Sequence, residues 1–232
     1  MQPPAPGKKK ANLRARTAPV QARSVDSRRR VLDATMDLLK AHGIHKLTTP
    51  AIASACGLSI GALYRYFPNK EAIIYELYEE RLAEMRRLGT EERPVRGARS
   101  WRAYFSDYLV RLKEAERQAD LDASLIEAMV MVPELWEIDK RHGVLIADQL
   151  VEEMKRFGSS WSDAALFELA ITLYSLDSTI WMHWRFSQRH PELAVRRVTA
   201  AALDMMQPAM EGAEEPAEIS VSRQQLRADI GV

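Results

Sequence analysis

The stretch that most constrains the fold reads TTPAIASACGLSIGALYRYFPNKEAI and runs from Thr48 to Ile73. Two helix breakers, Gly57 and Pro68, divide it, and each is followed by a side chain that can cap a new helix, Ser59 and Asn69. A threonine pair followed by proline opens the stretch, which is typical of a first helical turn. Short helices joined by a tight glycine turn cross at a steep angle, so the stretch predicts a helix-turn-helix unit.

The rest of the chain also shows apolar residues at helical spacing, without a convincing alternating pattern of the kind that strands require. A first helix is predicted over about 26–42, because Gly43 follows as a stop, and a fourth over about 70–88. After a polar connection, five more are predicted over roughly 99–118, 121–131, 134–157, 162–189 and 192–210. The sequence therefore predicts an all-α chain of about nine helices.

Charge is distributed unevenly along the chain, although the net charge is only +1. Before Val31 a single acid, Asp26, accompanies a basic set made of Lys8, Lys9, Lys10, Arg14, Arg16, Arg23, Arg28, Arg29 and Arg30. A basic arm of this kind suits a polyanion, and nucleic acid is the usual one. The alternative is a solvated, disordered tail, which the prolines of the arm favour equally.

These patterns divide the chain into four predicted segments. Residues 1–25 form a disordered basic arm, and residues 26–70 form the helix-turn-helix domain. Residues 71–211 form a second helical domain. Residues 212–232, where acidic side chains outnumber basic ones, form a disordered tail.

Composition and motifs argue against several classes of protein. No apolar run approaches the ~20 residues that span a bilayer, and the N-terminus lacks the apolar stretch of a secretory signal, so we expect a cytoplasmic protein. The single cysteine, Cys56, fits a buried apolar position. No glycine-rich phosphate loop, metalloprotease motif or nucleophile elbow occurs, which argues against an enzyme. We expect no cofactor and no metal site.

The second short helix of the opening stretch carries the side chains best suited to binding. Leu63 and Phe67 share an apolar face, so Tyr64, Arg65 and Tyr66 spread over the remaining arc. Phenolic hydroxyls and a guanidinium donate well to phosphate oxygens, and arginine also reads guanine edges. The alternative is that both tyrosines are packing residues with only their hydroxyls in water.

Taken as a whole, LTTPAIASACGLSIGALYRYFPNKEAII resembles the DNA-binding region of the TetR/AcrR family of bacterial transcriptional regulators. The matching features include the threonine pair, Gly57-Leu58-Ser59 and Asn69-Lys70-Glu71, at fixed offsets within about residues 27–75. The resemblance implies a subunit of nine helices in two domains. Its first three helices would bind DNA, and the others would bind a small ligand and dimerise.

The resemblance and the side-chain chemistry together predict a set of DNA-contacting residues. Its members are Thr48, Thr49, Ser59, Ile60, Gly61, Ala62, Tyr64, Arg65, Tyr66 and Lys70. Hydroxyl groups and the ammonium would meet phosphates, whereas the small and apolar positions suit thymine methyls and DNA shape. Many relatives have histidine at the position of Tyr66, and the tyrosine hydroxyl would serve a similar role.

In the second domain, aromatic and methionine side chains are spread over the helices that the resemblance assigns to ligand binding. The predicted ligand set is Tyr104, Tyr108, Met129, Trp136, Tyr174, Asp177 and Trp181. Apolar pockets between helices use such residues, but ordinary core uses them as well. Asp177 lies in an apolar run, so it either pairs with another helix, faces solvent, or meets a cationic or hydroxyl-bearing ligand.

The last two long helices resemble the dimerisation pair of the family. The predicted interface set is Leu173, Trp184, Val195, Val198 and Ala202. The resemblance thus implies a homodimeric repressor that binds double-stranded DNA at a palindromic operator and is released by a small apolar effector. The alternatives are an architectural DNA-binding protein with little sequence preference and, less favoured, an enzyme.

Overall fold

The structure is a computed structural model, and it describes residues 22–91, 100–119, 123–187, 191–216 and 223–230. Every regular element within these residues is helical, which confirms the prediction of an all-α chain with an N-terminal helix-turn-helix. The α-helices are α1 (Ala22–His42), α2 (Thr49–Ala55), α3 (Ile60–Tyr66), α4 (Lys70–Glu91), α5 (Trp101–Gln118), α6 (Ala123–Met131), α7 (Trp136–Arg156), α8 (Asp163–Ser187), α9 (Pro191–Met210) and α10 (Arg223–Ile230). Short 3-10 helices occupy Ile44–Lys46 and Pro133–Leu135.

The structure differs from the sequence analysis at both ends of the chain. Helix α1 begins at Ala22, so the last residues of the predicted disordered arm are helical, while residues 1–21 lie outside the described residues. The predicted disordered tail contains α10, and Arg227 of that helix donates to Asp148 of α7 at 2.9 Å. An ion pair to a distant helix is a non-local contact that the local composition of the tail does not reveal.

The helix breaks of the opening stretch have the geometry that the sequence predicts. Thr48, Ser59 and Asn69 each accept a hydrogen bond from the backbone N–H three residues later, at 3.3, 3.2 and 2.8 Å. Each such cap stabilises its helix by about 1 kcal/mol. Gly57 has φ 67°, a left-handed conformation that glycine adopts without steric strain because it has no Cβ. Local side chains therefore set where α2, α3 and α4 begin.

Two compact units make up the chain. The first unit comprises Met1–Glu80 with Ser124–Trp136, and the second comprises Arg81–Ala123 with Glu137–Val232. Helix α4 contributes its beginning to the first unit and its end to the second. In the first unit, apolar side chains from four helices form the core, namely Val31, Leu32, Ile52, Leu63, Ile73, Ile74 and Leu77.

In the second unit, α9 packs against both α8 and α5. Helices α7 and α8 approach each other closely at Gly143, where an added Cβ would lie 2.8 Å from Cε1 of Tyr174. The turn between α7 and α8 is tied to the end of α9, because Ser159 donates to the carbonyl of Ala209 at 2.7 Å. Close helix packing and buried polar ties thus hold this unit together.

Candidate nucleic-acid interface

Helix α3 has one buried and one exposed face, as the sequence predicts. Leu63 and Phe67 are 0% and 1% exposed, whereas Ile60 and Tyr64 are 45% and 40% exposed. Arg65 is also exposed, and a Cβ added at Gly61 would meet no atom within 4 Å. This face therefore combines solvent-exposed apolar and aromatic side chains with a glycine that has no neighbouring atoms above it. A groove of DNA can approach such a surface closely.

The start of α2 lies beside this exposed face. The hydroxyls of Thr49 and Tyr64 are 3.1 Å apart, within hydrogen-bonding distance. Thr48 is exposed and uses its hydroxyl as the α2 cap. The first N–H groups of a helix have no partner within the helix and attract phosphate. The predicted contacts Thr48, Thr49 and Tyr64 are therefore brought together at one edge.

The other members of the predicted DNA set have mixed environments. Ser59 caps α3 and is exposed, while Ala62 and Tyr66 are half-buried. Lys70 donates from Nζ to the carbonyl of Leu47 at 3.2 Å, which ties the start of α4 to the loop before α2. This bond uses one of the three donors of the ammonium. Lys70 thus has a structural contact in addition to its predicted one.

The arginines of α1 have a role that the sequence analysis missed. They were counted among the basic residues before Val31, and Arg28 makes a bidentate ion pair with Glu76 of α4. Its guanidinium carbon also lies 5.2 Å from the ring centroid of Phe67, at the end of α3. The sequence shows acidic residues on α4 and arginines on α1, but which arginine pairs with which acid depends on how the two helices pack.

The next two arginines are also engaged within the first unit. Arg29 pairs with Asp33 at 3.0 Å and with Glu80 at 3.4 Å. Arg30 lies 3.3 Å from the hydroxyl of Ser27. The arginine run therefore contributes intramolecular contacts to the helix-turn-helix unit, in which residues 26–70 were predicted to lie.

The structure does not bring the predicted ligand residues into one unit. Met129 and Trp136 belong to the first unit, where Trp136 is 51% exposed, whereas Tyr104, Tyr108 and Tyr174 belong to the second. The side chain of Trp181 lies outside the described residues. The ligand set as a whole stays a prediction.

Two of the predicted tyrosines of the second unit, Tyr104 and Tyr108, are buried, and Tyr174 is half-buried. Tyr104 is 1% exposed and meets Phe105 and Phe157 with ring centroids 5.3 and 5.0 Å away. Tyr108 stacks on Tyr104 at 6.4 Å. Tyr174 donates from its hydroxyl to Asp139 at 2.9 Å. These contacts are those of a close-packed aromatic core.

Asp177 has a partner on another helix, which was one of the three alternatives. It pairs with Lys113 of α5, whose Nζ also lies 2.8 and 2.9 Å from the two carboxylate oxygens of Glu116. Burial raises the pKa of Glu116 to about 7, against the attraction of Lys113. Burial also acts to lower the pKa of Lys113, but the two carboxylates outweigh it and the pKa is raised. This cluster joins α5 to α8.

His142 forms a second buried polar site in the same unit. Burial, and then the charge of Arg86, lower the pKa of His142 to about 3, so the ring is neutral. Arg86 lies 3.1 Å from Nδ1. Because a guanidinium only donates, Nδ1 accepts and the ring proton is on Nε2. This pairing between α4 and α7 was not predicted from the sequence.

An open cavity of about 380 Å³ lies beside the turn between α7 and α8. It is lined by Lys155, Ser160, Trp161, Ser162, Gly212, Ala213, Glu214 and Glu215. Glu215 accepts from the N–H of Ser162 at 2.6 Å, which lowers the pKa of this carboxyl. Trp161 donates to the carbonyl of Ala213 at 2.7 Å. None of the predicted ligand residues lines this cavity.

The predicted dimer residues differ in their exposure. Leu173 and Ala202 are 6% and 3% exposed within one subunit, and Val195 and Val198 are half-buried. The side chain of Trp184 lies outside the described residues. Helix α9 also has an exposed apolar stripe formed by Leu193, Ala201 and Met205.

Among the residues that the structure describes, no helix combines the length and apolar character needed to cross a bilayer. In the same part of the chain, no group of three or more histidine, cysteine, aspartate or glutamate side chains is arranged to hold a metal ion.

Comparison with known proteins gives a consistent result. The family model described as "Bacterial regulatory proteins, tetR family" matches residues 31–77. The HTH-type transcriptional regulator UidR of Escherichia coli K12 is 25% identical over 141 residues, covering 59% of this chain and 68% of UidR. The nucleoid occlusion factor SlmA of Actinobacillus pleuropneumoniae is 40% identical over 65 residues, covering 27% of this chain and 32% of SlmA.

A solved structure has the same fold. The transcriptional regulator from Rhodococcus sp. Rha1 superposes with a TM-score of 0.64 and 17% identity, covering 79% of this chain and 98% of that one. The family match covers the helix-turn-helix, and the structural match extends over most of the chain. The match over residues 31–77 and the shared fold make this chain similar to the tetR family of bacterial transcriptional regulators, which supports a DNA-binding regulator.

Proposed function

We propose that this regulator is a cytoplasmic, homodimeric repressor, which binds a near-palindromic operator and leaves it when a small, largely apolar effector binds. The observation that carries the proposal is the exposed face of α3. Ile60, Gly61, Tyr64 and Arg65 face solvent while Leu63 and Phe67 anchor the helix in the core. This division is what a recognition helix needs in order to enter a major groove.

In this proposal, the residues of the interface divide into two roles. Thr49 and Tyr64, whose hydroxyls lie 3.1 Å apart, bind neighbouring phosphates and position the helix. Ile60 and Arg65 face the base edges, where an apolar side chain suits a thymine methyl and a guanidinium suits guanine. Gly61 permits the backbone to approach the DNA closely.

Dimerisation in this proposal uses α8 and α9, with the exposed stripe of Leu193, Ala201 and Met205 as a candidate contact. A twofold axis would place this stripe against its own copy. Two recognition helices would then reach successive major grooves about 34–36 Å apart, or a multiple of it, which requires a near-palindromic site.

The effector in this proposal binds within the second unit, which is rich in aromatic side chains. Helix α4 contributes residues to both units, so it is the candidate element for passing a change from the effector to the DNA-binding unit. An effector shifts the equilibrium only by the difference between its affinities for the two states.

The test is a selection of bound duplexes from a random pool by the purified protein at physiological salt. Enrichment of one near-palindrome, bound by two copies of the chain, would support the proposed function. If refolded protein, freed of any bound ligand, still binds all duplexes equally, sequence-specific repression is wrong and an architectural role replaces it.

A further inference from the structure

The geometry points to Arg28 as a positioning residue for the recognition helix, through a clamp that joins α1, the end of α3 and the start of α4. The clamp consists of Arg28, Phe67 and Glu76. The inference rests on the proposed role of α3 in reading DNA. It goes beyond that role because it assigns a function in binding to a residue on α1 that lies outside the predicted set of DNA-contacting residues.

The contacts of Arg28 support the assignment. Its Nε and one terminal nitrogen donate to the two carboxylate oxygens of Glu76, so the pair is bidentate and has a defined orientation. The side chains of Arg28 and Glu76 are 20% and 19% exposed, so solvent screens this pair less than a surface pair. The same guanidinium lies over the ring of Phe67 at 5.2 Å.

Phe67 connects the clamp to the recognition helix. Its side chain is 1% exposed, and its N–H donates to the carbonyl of Leu63 at 3.0 Å, which closes the last turn of α3. A guanidinium that stacks on this ring and pairs with α4 at the same time limits how α3 can turn relative to α4. Lysine cannot replace this arrangement, because an ammonium lacks the planar fork.

The clamp also lies on the element proposed to carry the effector signal. Glu76 is in the part of α4 that belongs to the first unit, and α4 continues into the second unit as far as Glu91. A shift of α4 would move the partner of Arg28 and so release or reorient the end of α3. The clamp thus gives a route by which α4 controls the recognition helix.

The test compares the full-length variants Arg28→Gln, Arg28→Lys and the charge swap Arg28→Glu with Glu76→Arg. Arg29→Gln is the matched control, because it removes an equal charge one residue away from an ion pair whose side chains are 53% and 42% exposed. Two properties are measured. One is the ratio of affinity for the duplex enriched by the wild-type protein to affinity for a mixed-sequence duplex, and the other is amide hydrogen exchange over residues 60–67.

The expected result is that Arg28→Gln lowers the affinity ratio roughly tenfold, because the dissociation constant for the selected duplex rises by about one decade. Exchange over α3 should quicken more than exchange over the rest of the first unit, so the effect is local to the recognition helix. Arg28→Lys should not restore the ratio, whereas the charge swap should restore part of it. Arg29→Gln should leave both properties near those of the wild-type protein.

The inference is overturned if Arg28→Gln and Arg29→Gln have equal effects, since both would then act only through net charge. It is also overturned if α3 exchange is unchanged in Arg28→Gln. If the wild-type protein enriches no duplex, the proposed sequence-specific function fails, and hydrogen exchange alone decides whether the clamp holds α3.

Discussion

Two groups of ion pairs, one around Arg29 in the first unit and one around Lys113 in the second, differ in how far they are buried. In the first unit, Arg29 pairs with acids at an exposed surface. In the second, Lys113 joins Glu116 and Asp177 in the interior, where these side chains are 14%, 9% and 20% exposed. Arg29 thus makes screened surface contacts, like many charged side chains, whereas the charges of Lys113, Glu116 and Asp177 are part of the packing of their unit.

The largest effect should come from removing the cation of the buried cluster. Lys113→Met leaves the carboxylates of Glu116 and Asp177 without their ammonium, and breaking a buried ion pair from one side costs about 3–5 kcal/mol. The measurement is the free energy of unfolding from urea denaturation, followed by tryptophan fluorescence. Arg29→Gln in the first unit should change the free energy of unfolding by less than about 1 kcal/mol. Equal losses for the two variants would remove the contrast between the units.

A pH-dependent effect should follow from Glu116. Burial raises its pKa to about 7 in the folded protein, from an ordinary value of 4.5. The folded state therefore holds a proton that the unfolded chain releases, and this contribution to stability is present below pH 4.5 and lost as pH rises to 7. Glu116→Gln should flatten this fall, which we expect to be about 1–3 kcal/mol.

The control for this experiment is the wild-type protein over the same pH range. His142 contributes with the opposite sign, since its pKa is lowered to about 3 and its contribution is lost as pH falls below 6.5. Only the difference between wild type and Glu116→Gln isolates the carboxyl. A difference that does not vary with pH between 4.5 and 7 would contradict the shift.

Two glycine substitutions test helix packing in the second unit and the approach of DNA to the first. Gly143→Ala should lower the free energy of unfolding by about 1–3 kcal/mol, because the added Cβ would lie 2.8 Å from the ring of Tyr174.

The Cβ of Gly61→Ala would meet open space, so this substitution should raise the free energy of unfolding slightly, by up to about 1 kcal/mol. Gly61→Ala should nevertheless weaken DNA binding, measured by gel shift, because the added methyl group would keep the backbone of α3 away from the DNA. If Gly61→Ala binds DNA as the wild-type protein does, the backbone of α3 does not approach the DNA closely.

The smallest effect should come from a single hydroxyl. Tyr64→Phe removes the group that lies 3.1 Å from Thr49 and should lower DNA affinity about fivefold, roughly 1 kcal/mol, for all sequences alike. The measurement is a set of dissociation constants for several duplexes at one salt concentration. A change in the order of preference among the duplexes would mean that Tyr64 reads bases instead of phosphates.

The first unit was more predictable from sequence than the second. The caps Thr48, Ser59 and Asn69 act on backbone groups three residues away, so their effects could be read locally. The buried face of α3 followed from helical spacing alone. The clamp of Arg28 was not predictable in this way, because Glu76 lies in another helix and many acids of α4 were equally available to it.

The second unit shows the same limit more strongly. Its helices were predicted near their observed positions, since apolar spacing is also a local property. The assignment of Tyr104 to a ligand site rested on residue type, and residue type does not distinguish a pocket from a close-packed aromatic cluster. The pairing of Asp177 with Lys113 was one of three open alternatives until the helices were placed.

The all-helical class, the breaks around α2 and α3, and the exposed face of α3 could all be predicted from the amino-acid sequence. Caps, breakers and helical periodicity act over a few residues, so they can be read in chain order. Only the tertiary structure decided that the arginines of α1 pair within the unit, and that Lys113, Glu116 and Asp177 share one buried cluster. Such pairings join distant parts of the chain, and their energies depend on burial that exists only after the helices have packed.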